Sequence, residues 1–206
     1  MGFAKNVFIN CPLDETYIDN LLKPILYVLI KNGLNPRLSL EVSDSGQVRL
    51  QKITEIIQSC KYGIHDLSIV KSKKAGEFAR MNMPFELGID YGLRKSGFAQ
   101  LKEKQFLILE AKKYDYMKAI SDINGFDIKV HGNSTEKIFE CLYSWSSETL
   151  KIRKQDPPLK IFYDFVDFNA SLFEEKVTRF GSDNLAKNYI EKISIPEYIQ
   201  EIQERV

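Results

Sequence analysis

Short apolar runs alternate with patterns of helical period along most of this chain. The first run covers residues 6–10 and stops before Cys11-Pro12, and further runs cover residues 34–40, 61–68, 105–110 and 127–130. Runs of four to eight residues predict strands, and the first is typical of a strand that is buried on both faces. Pro36 weakens the second run, because proline cannot donate to a strand ladder. We therefore predict five strands.

Apolar residues recur three and four positions apart between these strands, which predicts helices. Asp14 is a favourable N-cap, Pro24 falls inside the helix that follows, and Lys31-Asn32-Gly33 ends it. The other helices are predicted to start at the turn Asp44-Ser45-Gly46, and to cover residues 84–95 and 135–150. Strands that alternate with helices predict an α/β fold: a parallel sheet with helices on both faces.

A different pattern begins after the proline-containing segment at residues 154–158, which we interpret as a linker. Residues 159–206 have mostly helical periodicity, so we divide the chain into an α/β domain at 1–152 and a helical C-terminal extension at 159–206. The extension carries apolar residues three to four positions apart at Phe162, Phe165, Phe168 and Leu172, and Phe173 follows directly. This face should pack on the sheet domain or on a second copy of the chain, and we expect a contact that supports self-association.

Composition narrows the classes of function. The chain has 206 residues, 44% of them hydrophobic, and a net charge of +1, without the basic stripe of a nucleic-acid binder. No apolar run approaches eighteen residues and the N-terminus lacks an apolar signal core, so we expect a cytoplasmic protein with no membrane partner. Cys11, Cys60 and Cys141 lie far apart and only two histidines occur, which predicts neither disulfides nor a metal site.

Candidate functional residues follow the strands, because ligands of open parallel sheets bind at the carboxyl ends of the strands. Four segments should meet there: Asn10-Cys11-Pro12, Asp44-Ser45-Gly46, the segment from Asp66 to Ser68, and Glu86 in the first turn of the predicted helix at 84–95. We predict that these segments line one pocket.

Glu86 has the strongest support among these candidate functional residues. Pro84 is favourable at the start of a helix, and the partial positive charge of a helix N-terminus should keep a first-turn carboxylate ionised. Such a carboxylate suits ribose hydroxyls, or the positive charge that develops on a sugar during glycosidic cleavage. On spacing alone, a glutamate that only complements the helix dipole is the commoner case.

The remaining candidates have structural alternatives. Asp66 either caps the following loop or binds a hydroxyl, and His65 on the same strand is predicted to be structural. Arg49 could pair with a phosphate, although a solvated arginine is more common. Cys11 is predicted to be a buried small residue rather than a nucleophile. Gly88 and Gly92 could allow the Glu86 helix to pack closely on the sheet.

Three segments together resemble the nucleoside 2-deoxyribosyltransferase family: the strand end at residues 7–12, His65-Asp66-Leu67-Ser68, and Phe85-Glu86-Leu87-Gly88. That family is distantly similar to TIR domains, and both share a flavodoxin-like sheet. The resemblance covers roughly residues 5–145. It implies a flavodoxin-like, TIR-like fold, with Glu86 as the catalytic residue for an N-glycosidic bond.

Two positions depart from these families. Arg80 stands six residues before Glu86, where the transferases have an acidic residue, and Asn82 stands where TIR domains have tryptophan. Arg80 favours an anionic substrate, and the polar segment at 71–82 is predicted to be a mobile lid that brings Arg80 to a phosphate. We therefore add Arg80 and Asn82 to the predicted substrate-binding residues.

The resemblance implies a TIR-like N-glycosidase that cleaves the nicotinamide–ribose bond of NAD or a related nucleotide, a reaction that serves antiviral defence in bacteria. NAD would be the substrate, so we predict no cofactor, and a homo-oligomer is expected. One alternative is a nucleoside 2-deoxyribosyltransferase or nucleoside hydrolase. Another is a non-catalytic module for nucleotide sensing or assembly.

Overall fold

A sheet of five parallel strands forms the centre of the part of the chain that the structure describes. The computed structural model describes residues 2–41, 44, 46–69, 72, 76, 79 and 81–206. The strands lie in the order β2-β1-β3-β4-β5, and they are β1 (Asn6–Asn10), β2 (Asn35–Arg37), β3 (Tyr62–Asp66), β4 (Gln105–Glu110) and β5 (Ile128–Val130). This flavodoxin-like order confirms the predicted α/β fold. β2 lies on one side of β1 and β3 to β5 lie on the other, so the order in which strands are added to the sheet changes direction between β1 and β3.

Helices follow the strands and fill the C-terminal part. They are α1 (Glu15–Tyr17), a π-helical turn (Ile18–Leu22), α2 (Lys23–Lys31), α3 (Arg49–Gln58), α4 (Asn82–Lys95), α5 (Thr135–Glu148), α6 (Pro158–Phe180), α7 (Asp183–Lys192) and α8 (Ile195–Gln203). Short 3-10 turns occur at Phe3–Lys5, Ala99–Glu103, Tyr116–Lys118 and Ser121–Ile123. Within the described residues, no helix is both long enough and apolar enough to cross a membrane.

The boundaries of β2 and α3 differ from the prediction. β2 is an edge strand that ends at Arg37 rather than at residue 40, and Pro36 is tolerated there because an edge strand needs fewer donors. Helix α3 starts at Arg49, after Val48, and not at Asp44. The Asp44 carboxylate instead accepts a hydrogen bond from the Gly46 backbone N–H at 2.9 Å, which closes a turn before the helix.

A π-helical turn interrupts the first helical segment just before Pro24. Asp14 caps this segment, and its side chain accepts a hydrogen bond from the Tyr17 N–H. The π-helical turn ends at Leu22, two residues before Pro24, which has no N–H to donate to the Asn20 carbonyl one turn earlier. Thr135 Oγ1 donates to this carbonyl at 3.0 Å, so the lost helical hydrogen bond is replaced by a contact to α5.

Side chains of successive strand residues point to opposite faces of the sheet. Val7 and Ile9 pack with α2, α5 and the C-terminal helices, whereas Phe8 packs with α3 and with Ile89 of α4. The same alternation places Asn10 on the α3–α4 side of the sheet, and it places Asp66 on the other side. This difference between the two faces determines which predicted site residues can meet.

The C-terminal extension packs on its own sheet domain. Phe165, Phe168 and Leu172 of α6 belong to the same buried cluster as α2 and α5. The Phe165 ring lies 5.5 Å from the Tyr27 ring in an edge-to-face contact. Phe162 and Phe173 are only half-buried. Self-association through the extension remains a prediction.

Candidate functional site

A cavity of about 480 Å³ opens at the carboxyl ends of β1 and β2, between the starts of α3 and α4. Five of the predicted site residues line it: Asn10, Cys11, Pro12, Asn82 and Glu86. Its other lining residues are Ile9, Leu13, Asp14, Leu38, Ser39, Leu40, Arg49, Ile69, Ser72, Ala79 and Met83. A mixed apolar and polar lining around a volume of this size is typical of small-molecule sites.

Glu86 is the buried carboxylate of this cavity. Glu86 is only 8% exposed. Burial raises the pKa of Glu86 to about 7, and the positive charge of Arg49 opposes that rise. In the described part of the chain, no hydrogen bond to the Glu86 carboxylate contributes to this shift. The buried carboxylate thus has no hydrogen-bonding partner among the described residues, and it faces a cavity where a ligand could bind it.

The predicted position of Glu86 in its helix was wrong. Helix α4 begins at Asn82 rather than at Pro84, so Glu86 is its fifth residue and lies in the second turn. The field of a helix N-terminus falls off within the first turn. The ionised form is therefore not favoured as predicted, and burial raises the pKa instead.

A chain of buried polar side chains holds α4 against the sheet beside Glu86. The Asn10 amide donates to the Met83 carbonyl at 2.8 Å and lies 3.1 Å from His65 Nδ1. His65 Nε2 lies 3.0 Å from Asp90 Oδ2, and Lys104 Nζ lies 3.0 Å from Asp90 Oδ1. Asp90 follows Glu86 by one helical turn, so these contacts fix the helix on both sides of Glu86.

His65 has the structural role that its position on the strand predicts. The Asn10 amide group donates to Nδ1, so Nε2 carries the proton and donates to Asp90. Asp90 in turn forms an ion pair with Lys104, whose ammonium group also donates to the carbonyl oxygens of Ile57 and Cys60. His65, Asp90 and Lys104 are at most 1% exposed. We infer that these hydrogen-bonded side chains position Glu86 and do not themselves react.

Gly63, rather than Gly88 or Gly92, is where α4 approaches the sheet closely. A Cβ atom at Gly88 or Gly92 would meet no heavy atom within 4 Å, so the predicted role of these two glycines was wrong. A Cβ atom at Gly63 would lie 2.6 Å from Asp90 Oδ2 and 2.8 Å from His65 Nε2. The absence of a side chain at Gly63 leaves room for the His65–Asp90 contact.

We expect Gly63→Ala to lower the free energy of unfolding by about 1–3 kcal/mol, because overpacking forces Asp90 and His65 to move. Gly88→Ala is the matched control: it adds the same methyl group to an open helical position and should be neutral or stabilising by up to about 1 kcal/mol. Urea unfolding followed by circular dichroism measures both changes. Equal stability of the two variants would contradict the close approach at Gly63.

Asp66 and Ser68 form a separate cluster and do not line the cavity. Asp66 is fully buried and accepts hydrogen bonds from the Tyr17 hydroxyl at 2.5 Å and from the Ser68 N–H at 2.8 Å. His131 Nε2 lies 3.0 Å from Asp66 Oδ2. Burial would raise the pKa of Asp66, but the hydrogen bonds from His131, Ser68 and Tyr17 outweigh burial and lower it. Groups of this chain thus occupy the oxygens predicted to bind substrate.

The sequence gives no role to His131, which lies directly after the carboxyl end of β5. Asp66 lies at the carboxyl end of β3, so the positions of both residues at strand ends could have indicated that they meet. His131 Nε2 lies 3.0 Å from the Ser68 hydroxyl as well as from Asp66, and its Nδ1 accepts from the Asn133 N–H. A serine–histidine–aspartate triad needs the hydroxyl and the carboxylate on different ring nitrogens. The cluster is therefore structural and ties β3 to the end of β5.

The other candidates are placed as follows. Asp44 is exposed and does not line the cavity. Ser45 and Arg80 lie outside the described residues, as does most of the predicted lid. Arg49 is exposed, which agrees with our interpretation of a solvated arginine, and it also lines the cavity.

Cys11 is a buried small residue, as predicted. Burial, together with the negative charges of Asp66, Glu86 and Asp14, raises the pKa of its thiol well above the usual value. Because the thiolate is the reactive form, this raised pKa favours Cys11 as a wall of the cavity over Cys11 as a nucleophile. Cys60 and Cys141 are also free and buried.

No protein-family model matches the chain, and no curated protein matches it. The assignment of function therefore depends on the cavity and its residues.

Proposed function

We propose that the protein cleaves the N-glycosidic bond of NAD or a related nucleotide, with Glu86 as the catalytic carboxylate. The observation that carries this proposal is the Glu86 side chain, which is buried without a hydrogen-bonding partner among the described residues and faces a cavity large enough for a ligand. The resemblance of residues 5–145 to deoxyribosyltransferases and TIR domains supports the choice of bond.

Ionised Glu86 would act on the sugar. As the C1′–N bond breaks, its electron pair leaves with the base and positive charge develops on the ribose ring. The carboxylate either stabilises this charge while water attacks C1′, or attacks C1′ itself to form an ester that water then hydrolyses. In both cases the oxygen of the water stays on C1′ as a hydroxyl group and one proton is released. Ser39 and Asn82 line the same cavity and would bind ribose hydroxyls.

The single buried carboxylate among the described lining residues favours a cationic leaving group. Glu86 must be ionised to stabilise the sugar, so it cannot also protonate the base. Asp14, the other lining carboxylate, is exposed and caps α1. The nicotinamide of NAD leaves as a neutral molecule without taking up a proton, whereas a neutral nucleoside needs a general acid.

The test is to incubate the purified protein with NAD and, separately, with deoxynucleosides, and to separate the released bases by chromatography. We expect nicotinamide release from NAD. Transfer of a deoxyribosyl group to an added free base would favour the transferase alternative. Release of no base from either substrate by a folded protein would leave the non-catalytic module as the function and contradict this proposal.

A further inference from the structure

We infer that Arg49 binds a phosphate group of the ligand in the Glu86 cavity, so that the site takes phosphorylated nucleosides in preference to free nucleosides. This inference rests on the proposed function for the identity of the sugar that faces Glu86. The phosphate subsite itself is carried by the placement of Arg49 and of helix α3.

Arg49 supplies the positive charge at one wall of the cavity. It is the first residue of α3, and its guanidinium lies 3.5 Å from the Ser39 hydroxyl, which is also part of the lining. Among the described residues Arg49 forms no salt bridge, and its charge acts on Glu86 across the cavity. A guanidinium without a carboxylate partner can offer paired N–H groups to a phosphate.

The start of α3 adds backbone donors beside Arg49. The N-cap residue is Val48, and no side chain caps the first turn of this ten-residue helix. Uncapped N–H groups and the positive end of the helix dipole favour an anion. Glu86 is buried in the same cavity without a hydrogen-bonding partner among the described residues, which is an independent indication of a ligand beside the helix start.

The two charges select one class of ligand. A phosphorylated nucleoside offers an anion to Arg49 and a ribose, on which positive charge develops during cleavage, to Glu86. A free nucleoside would satisfy Glu86 alone. Asp14 lines the cavity as well, but its carboxylate accepts from the Tyr17 N–H and is bound to the start of α1.

The probes are AMP and adenosine, which differ only in the 5′-phosphate. Binding is measured by calorimetry in a Glu86→Gln background, so that cleavage does not consume the ligand. We expect AMP to bind at least about 10-fold more tightly than adenosine, because charge-assisted hydrogen bonds to phosphate are strong. Arg49→Gln should reduce this preference to less than about 3-fold. Arg49→Lys keeps the positive charge but loses the paired N–H groups of the guanidinium, so it should retain part of the preference for AMP.

Arg153→Gln is the matched control, because Arg153 is exposed and lies outside the cavity. This variant should keep the full preference for AMP. Equal binding of AMP and adenosine, an unchanged preference in Arg49→Gln, or no binding of either probe to the folded protein would overturn the phosphate subsite. Base release by the wild-type protein is measured separately. Its absence together with an Arg49-dependent preference for AMP would contradict the proposed catalysis and leave the subsite intact.

Discussion

Glu86→Gln is expected to reduce base release from NAD by at least about 100-fold, roughly 3 kcal/mol of transition-state stabilisation. Glutamine keeps the shape of the side chain and removes its charge, so the developing positive charge on ribose loses its partner. Glu140→Gln is the control, because Glu140 is exposed on α5 and lies outside the cavity. Full activity of Glu86→Gln would remove Glu86 from the mechanism.

The pH dependence tests the same carboxylate. The pKa of Glu86 lies at about 7 in the folded protein, and the proposed chemistry needs the ionised form. kcat/KM should therefore rise with pH and level off above about 7, since this ratio reports the ionisation of the free enzyme. A rate that falls as pH increases through 7 would show that Glu86 acts in its protonated form.

Stability provides a readout of Glu86 that does not need the substrate. Because folding raises the pKa of Glu86, the folded state is favoured by protonation, and this contribution is lost as pH rises from about 4.5 through about 7. Glu86→Gln should therefore be more stable than the wild-type protein at pH 8 and equally stable at pH 4. Urea unfolding at both pH values measures the difference.

The sequence pattern predicts the elements best where their signals are local. β4 has the predicted bounds because residues 105–110 form an apolar run between polar ends. Asp14 caps its helix because capping depends on residues a few positions apart. Helix α4 began earlier than predicted because its N-cap, Met81, carries no capping side chain, so Pro84 was the first visible signal.

Most of the contents of the site depend on contacts that no local pattern contains, and the separation of Asp66 from Asn10 is an exception. Strand alternation alone could have separated Asp66 from Asn10, because Asp66 shares a face with Ile64 whereas Asn10 is paired with His65. The burial that raises the pKa of Glu86, the ion pair of Asp90 with Lys104, and the approach of Arg49 to Glu86 join residues from separate elements. The residues were visible in the sequence, but their neighbours were not.

Removal of residues 157–206 should unfold the chain or make it aggregate. Leu172 of α6 and Tyr198 and Ile202 of α8 are fully buried in the cluster that includes α2 and α5. Each large apolar side chain contributes about 1.5–3 kcal/mol when buried. The loss of several such side chains is therefore comparable to the whole free energy of unfolding of a typical domain, about 5–15 kcal/mol. Circular dichroism and light scattering would show the loss of folded protein.

A point variant separates packing in the core from the general effect of truncation. Leu172→Ala should lower the free energy of unfolding by about 2–5 kcal/mol because it leaves a cavity between α6 and the sheet domain. Val166→Ala is the control, since Val166 lies on the same helix and is 45% exposed, and it should change stability by less than about 0.5 kcal/mol. If the truncated chain stays folded with an unchanged oligomeric mass, the extension is neither core nor interface. If Val166→Ala leaves stability unchanged but lowers the oligomeric mass, the exposed side of α6 is the surface for self-association.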